Sequence, residues 1–102
     1  MEFNKKVIWS PSAKEDVENI SSYLIFNWNT TVLLRFLLKL DRIINQIVIN
    51  PKQFPLINSK LQIRKAVITT QNTLFYRIKN QNIEIVRIYD TRQDPIKLKI
   101  IF

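Results

Sequence analysis

A chain of 102 residues, 46% hydrophobic and 24% charged, has material for one compact core, so residues 1–102 are read as a single domain. Sixteen Lys and Arg against eight Asp and Glu set the net charge at +8, and the absence of cysteine and histidine excludes disulfides, thiol nucleophiles, histidine general bases and the usual zinc sites. Glycine is absent too, which excludes glycine-rich phosphate loops and leaves turns that need a positive φ to residues such as the ten asparagines.

The opening Met1-Glu2-Phe3-Asn4-Lys5-Lys6 lacks the apolar core of a signal peptide. No stretch approaches the roughly eighteen apolar residues of a membrane span, and the expected location is cytoplasmic. Phe3, Val7 and Trp9 alternate with Asn4 and Lys6 in a short strand that runs into Ser10-Pro11-Ser12-Ala13-Lys14-Glu15. Either Ser10 caps a helix with Pro11 in its first turn, or Ser12 and Glu15 form a capping box. Ala13, Val17, Ile20, Leu24 and Trp28 then lay one apolar stripe along that helix, and Trp9 and Trp28 are assigned to the core. After a short turn, with Thr30 or Thr31 as cap, a second stripe runs through Leu33, Phe36, Leu37, Leu40, Ile43, Ile44 and Ile47 to the stop at Asn50-Pro51. So short a connection implies an antiparallel helical hairpin.

Residues 51–60 read as irregular, with Phe54 as a loop anchor. Strands follow over 62–69, 73–79 and 83–89, separated by Thr70-Gln71-Asn72 and Asn80-Gln81-Asn82, and Ile96, Leu98, Ile100 and Phe102 alternate with Lys97 and Lys99 in a last one. The fold class is α+β: an N-terminal strand and an antiparallel helical hairpin packed on a C-terminal antiparallel β-sheet. In the central strand Leu74, Tyr76 and Ile78 take one face, and Phe75, Arg77 and Lys79 the other. Such a strand expects cover on both faces; two helices cover one only, so unless the sheet curls the opposite surface leaves apolar and basic groups together, and a partner-binding groove is expected there.

From Pro51 onward ten Lys and Arg face three acidic residues, whereas the first fifty residues carry six against five. That half is suited to an acidic partner. The order of elements, with Val7-Ile8-Trp9-Ser10-Pro11-Ser12-Ala13, Asn50-Pro51, Arg64, Asn72-Thr73-Leu74-Phe75-Tyr76-Arg77-Ile78 and Ile85-Val86-Arg87-Ile88-Tyr89-Asp90-Thr91-Arg92-Gln93, resembles the RelE/ParE toxin superfamily, nearest its ParE-like, plasmid-stabilisation branch. The resemblance implies the toxin of a bacterial type II toxin-antitoxin pair, growth-inhibiting when free and held inactive by a cognate acidic antitoxin in a hetero-oligomer. The ParE-like branch is associated with poisoning DNA gyrase. The RelE-like branch cleaves messenger RNA on the ribosome without metal. No cofactor, metal or membrane partner is implied.

RNA cleavage needs a base for the 2′-hydroxyl, cations for the phosphorane and an acid for the leaving oxygen. Arg64, Tyr76, Arg87 and Arg92 are the catalytic candidates for that chemistry, but arginine stays protonated and tyrosine titrates near 10, so only a strongly perturbed Lys, Tyr or carboxylate could serve as the base. Gyrase poisoning is therefore the preferred reading, mRNA cleavage the alternative, and a non-toxic basic partner-binding or nucleic-acid-binding module a third. Antitoxin or target contact is assigned to Arg64, Lys65, Arg77, Arg87, Asp90, Arg92, Lys97 and Lys99. Each also has a structural role to weigh: Arg87 pairing with Glu84 or Asp90, Asp90 with Arg92 locking the bend before the last strand, Tyr76 as a cross-strand core aromatic.

Overall fold

A computed structural model describes residues 6–92. Strand β1 (Val7–Trp9) leads into helix α1 (Pro11–Asn27) and helix α2 (Thr30–Ile49), followed by strands β2 (Leu56–Asn58), β3 (Ile63–Val67), β4 (Asn72–Lys79) and β5 (Asn82–Asp90). The strands form one sheet in the order β1-β5-β4-β3-β2. β2 through β5 are antiparallel, and β1 adds to the free edge of β5 in parallel, making the sheet mixed. The expected final strand with Lys97 and Lys99 lies outside the described residues.

Ser10 resolves the first cap. Its hydroxyl accepts from the Ala13 amide at 2.9 Å, with Pro11 opening the helix. The second cap is Asn29, which accepts from the Val32 amide at 2.9 Å, one residue before the threonines expected for it. Both apolar stripes face the sheet. Ala13, Ile20 and Leu24 of α1 pack with Phe36, Leu40 and Ile47 of α2 on Ala66, Leu74, Tyr76, Ile83, Ile85 and Ile88. Trp9 is half-buried against this core. Trp28 departs from expectation at 63% exposed, because its backbone (φ −130°, ψ −108°) has already left helical geometry and no longer carries its side chain along the stripe.

Residues 51–60 are not wholly irregular, since Leu56–Asn58 pairs with β3 across a register shift. Phe54 anchors the loop as expected, its ring meeting Tyr76 edge to face at 6.2 Å. On the sheet face away from the helices Ile63, Phe75 and Tyr89 form a second buried cluster with Val86 packed against it, so the central strand is covered on both faces.

In β5 the partners shift between Arg87, opposite Phe75, and Ile85, opposite Tyr76, so Val86 is the extra residue of a bulge. The alternation that would put Arg87 in line with Ile83 and Ile85 is broken there, and Ile88 continues that row instead, opposite Leu74 in the core.

The β4–β5 turn shows what a chain without glycine must accept. Lys79 pairs with Asn82, which leaves the two-residue loop Asn80-Gln81 with both φ angles positive, at 52° and 68°. That geometry favours Asn-Gly, and a side chain with a Cβ in left-handed backbone costs about 1–2 kcal/mol. Gln81→Gly is therefore expected to raise unfolding free energy by about 1 kcal/mol, less what extra unfolded-chain entropy removes. Gln81→Ala, which keeps the Cβ, should stay within about 0.5 kcal/mol of the parent in urea titrations.

Candidate functional site

β3 and β4 set Arg64 directly opposite Tyr76. Both side chains reach the α2–β2 connection: an Arg64 Nη1 donates to the Phe54 carbonyl at 2.7 Å and to the Lys52 carbonyl at 3.3 Å, and the Tyr76 hydroxyl donates to the Pro51 carbonyl. A guanidinium offers several donors in a rigid plane, so one arginine holds two loop carbonyls at once. Tyr76 is fully buried, and burial pushes its phenol up to about 12 from 10.0, with the Arg64 charge opposing the rise. The proton stays on the phenol at neutral pH. Tyr76 is thus placed to donate and cannot serve as a resting base.

Asp16 is the residue that sequence reading missed. It is 7% exposed on the sheet side of α1, with both carboxylate oxygens engaged by Arg87: Nε to Oδ2 at 2.7 Å and Nη2 to Oδ1 at 2.9 Å. Oδ2 also accepts the Ile88 backbone amide at 2.9 Å. The pair raises the Arg87 pKa, chiefly through the side-chain hydrogen bond to Asp16 and against desolvation. Neither Glu84 nor Asp90, the partners expected for Arg87, takes that place. The available signal was a carboxylate three residues after Ala13 and four before Ile20, on the apolar stripe itself.

The other flagged charges are paired locally. Arg77 meets Glu84 across the β4–β5 ladder. Arg92 closes on buried Asp90 with Nε to Oδ1 and Nη2 to Oδ2, each at 2.8 Å, while its own backbone amide donates to Oδ1 at 2.9 Å. This is the expected lock on the bend after β5. The Asp90 hydrogen bond raises the Arg92 pKa, and the guanidinium lies 4.9 Å from the centre of the Tyr23 ring. Lys65 is exposed. Lys97 and Lys99 lie outside the described residues. The structure does not gather the four catalytic candidates around one point: Arg64 and Tyr76 serve the loop after α2, Arg87 serves α1, and Arg92 serves the end of β5.

A cleft of about 430 Å³ opens between the helical hairpin and the β3–β4 turn. Arg92 lines it together with Arg35 and Lys39 of α2, two exposed cations that the linear sequence did not single out because they interrupt no motif. Among the described residues no group of three His, Cys, Asp or Glu side chains is arranged to hold a metal ion. None of their helices is long and apolar enough to cross a membrane.

The family model described as ParE toxin of type II toxin-antitoxin system, parDE, matches residues 7–95. Among solved structures the fold is similar to one described as the chromosomal ParDE toxin-antitoxin system from P. aeruginosa, with a TM-score of 0.72 at 13% identity over 87% of this chain and 98% of that one. It is also similar to a YoeB/ParE toxin from Agrobacterium tumefaciens, at 0.64 and 17% over 83% and 96% of the two chains. A chain of the E. coli DinJ-YafQ complex aligns at 0.60 and 15% over 87% and 96%. No curated protein sequence matches the chain.

Two substitutions test these roles as structural ones. Asp16→Ala leaves the Arg87 guanidinium and the Ile88 amide without their acceptor and is expected to cost about 2–3 kcal/mol. Arg77→Ala, at a partly exposed ladder pair, should cost less than about 1 kcal/mol in the same urea titrations. Because the folded state holds the Tyr76 proton more tightly than its ordinary value of 10.0, its contribution is complete below pH 10 and is lost as the pH rises through about 12. Tyr76→Phe should remove that alkaline loss while lowering neutral-pH stability by about 1 kcal/mol.

Proposed function

Because the chain belongs to the ParE toxin family, toxins of type II toxin-antitoxin systems, we propose that it arrests growth by binding and poisoning DNA gyrase and is held inactive by a cognate acidic antitoxin. The observation that carries binding over RNA cleavage is Tyr76. Among the four catalytic candidates it alone is not an arginine, and its proton is fixed on a hydrogen bond to the Pro51 carbonyl with a pKa of about 12. A nuclease reading would need a base from elsewhere.

A gyrase poison needs an exposed contact surface and no proton transfer. The end of α1 supplies one, with Ile25 52%, Phe26 88% and Trp28 63% exposed. Large aromatics standing in solvent at a helix junction are suited to fill a pocket on a partner. The antitoxin reading is supported by the charge of the second half, ten Lys and Arg against three acidic residues. It is supported also by similarity to toxins whose structures are described with antitoxin partners, such as DinJ-YafQ.

The test is inducible expression in bacteria without the antitoxin, scoring growth, DNA-damage response and transcript integrity together. The expected outcome is arrest with DNA damage and intact transcripts, lost in Phe26→Ser/Trp28→Ser protein that remains folded. Arg64→Ala and Arg92→Ala should lower toxicity only in step with the amount of folded protein. Arrest with codon-positioned transcript cuts would instead establish the ribosome-dependent nuclease. No arrest from soluble protein would leave a partner-binding module.

A further inference from the structure

We propose that the outward face of α2 is a self-association surface, on which a second copy of this chain docks its own α2 in the antiparallel sense. The pairing goes beyond the functional reading above and does not rest on it. Leu34, Leu38, Asp41, Arg42, Asn45 and Ile49 are all exposed, the three apolar ones at 55%, 66% and 79%. At about 100° per residue they fall within about 50° of a single line along the helix, in a stripe about 22 Å long. That line runs midway between Asp41 and Arg42 and lies opposite Phe36, Leu40 and Ile47, which face the core.

The stripe is complementary to itself when turned end for end. About a two-fold axis between Asp41 and Arg42, Leu34 meets Ile49 of the second copy, Leu38 meets its Asn45, and the Asp41 and Arg42 side chains of both copies gather on the axis. Charge selects this occupant over others. Asp41 is the only acidic residue of α2. Its neighbours one turn away, Leu37, Leu38, Ile44 and Asn45, are uncharged, and those of Arg42 include no acid, so neither charge is paired along its own helix. Neither takes part in an ion pair among the described residues. An anionic partner, whether a nucleic-acid strand or an acidic peptide, would satisfy Arg42 and repel Asp41, and a membrane surface would meet a carboxylate in the middle of the apolar stripe. The same helix reversed supplies both signs in the opposite order.

One helix pair is a smaller contact than a stable dimer uses, so the expected association is weak, with a Kd on the order of 10 µM. The full-length protein is followed by sedimentation equilibrium over a concentration series at fixed ionic strength. Asp41→Arg places only cations on the axis and Arg42→Asp only anions, and each is expected to weaken the dimer at least about tenfold. The double exchange Asp41→Arg/Arg42→Asp should restore it, and an equimolar mixture of the two single variants should form the mixed dimer. Both positions are exposed on the helix, and circular dichroism checks that every variant is folded. Because the chain has no cysteine, introduced ones read the register. Leu34→Cys protein mixed with Ile49→Cys protein should oxidise to a mixed disulfide dimer faster than either alone, since like positions lie about 22 Å apart in the antiparallel pair. A parent that stays monomeric at millimolar concentration, dimers that survive both single exchanges, or disulfides that form as readily within one variant would overturn the pairing. A monomeric parent whose Leu38 amide resonance responds to anionic vesicles or to an oligothymidylate would assign the face to that partner instead. Growth arrest by a protein shown to be monomeric would leave the toxin reading standing and the pairing refuted.

Discussion

Strand β1 ends at Trp9, but β5 beside it runs on to Asp90, and the exposed edge so created is served by the start of α1. The Ser10 amide donates to the Ile85 carbonyl at 3.0 Å, the Ser10 hydroxyl donates to the Val86 carbonyl at 2.8 Å, and Asp16 takes the Ile88 amide. These bonds complete the β5 edge at the bulge, where the strand changes register. A buried backbone group must find a partner, so the angle at which α1 leaves β1 is tied to the place where β5 bulges. The helical hairpin is thereby seated on the sheet before any side chain of the cleft is considered.

The basic residues follow from that seating. Arg87 engages the same carboxylate that completes the edge, Arg64 holds the loop leaving α2, and Arg92 closes the end of β5 on Asp90. Each is a strut with both ends defined. The carboxylate partners of Arg87 and Arg92 are largely desolvated, Asp16 at 7% and Asp90 at 2% exposure, so removing one partner strands a buried charge or amide. An exposed pair of the same chemistry contributes little. The chain's positive charge thus divides into arginines spent on its own architecture and cations such as Arg35, Lys39 and Lys65 that face outward.

This division bears on function directly. Arg64, Arg87 and Arg92 each commit part of their N–H donors to partners within the fold, and the Tyr76 hydroxyl is held as a donor. What remains exposed is suited to contact: aromatics at the α1–α2 junction and a basic, partly apolar cleft beside it. The two surfaces differ in chemistry, one apolar and one cationic.

The helices, their lengths and inward faces were legible in the sequence, because Leu33 through Ile47 repeat at helical spacing and Asn50-Pro51 stops the chain locally. The hairpin strands were legible from the turn residues that separate them, and so was the Asp90–Arg92 lock, whose partners stand two residues apart. Trp28 was misplaced because a stripe extrapolated past a helix end ignores the backbone that carries it. The Val86 bulge, the choice of Arg87 as Asp16's partner across 71 residues and the placing of Arg35, Lys39 and Arg92 along one cleft had no local signature. Local spacing determines which face of an element is apolar, since that depends on backbone period alone. Which charged group ends opposite which is decided only in the tertiary structure, where one extra residue in β5 and the end of β1 choose the partners.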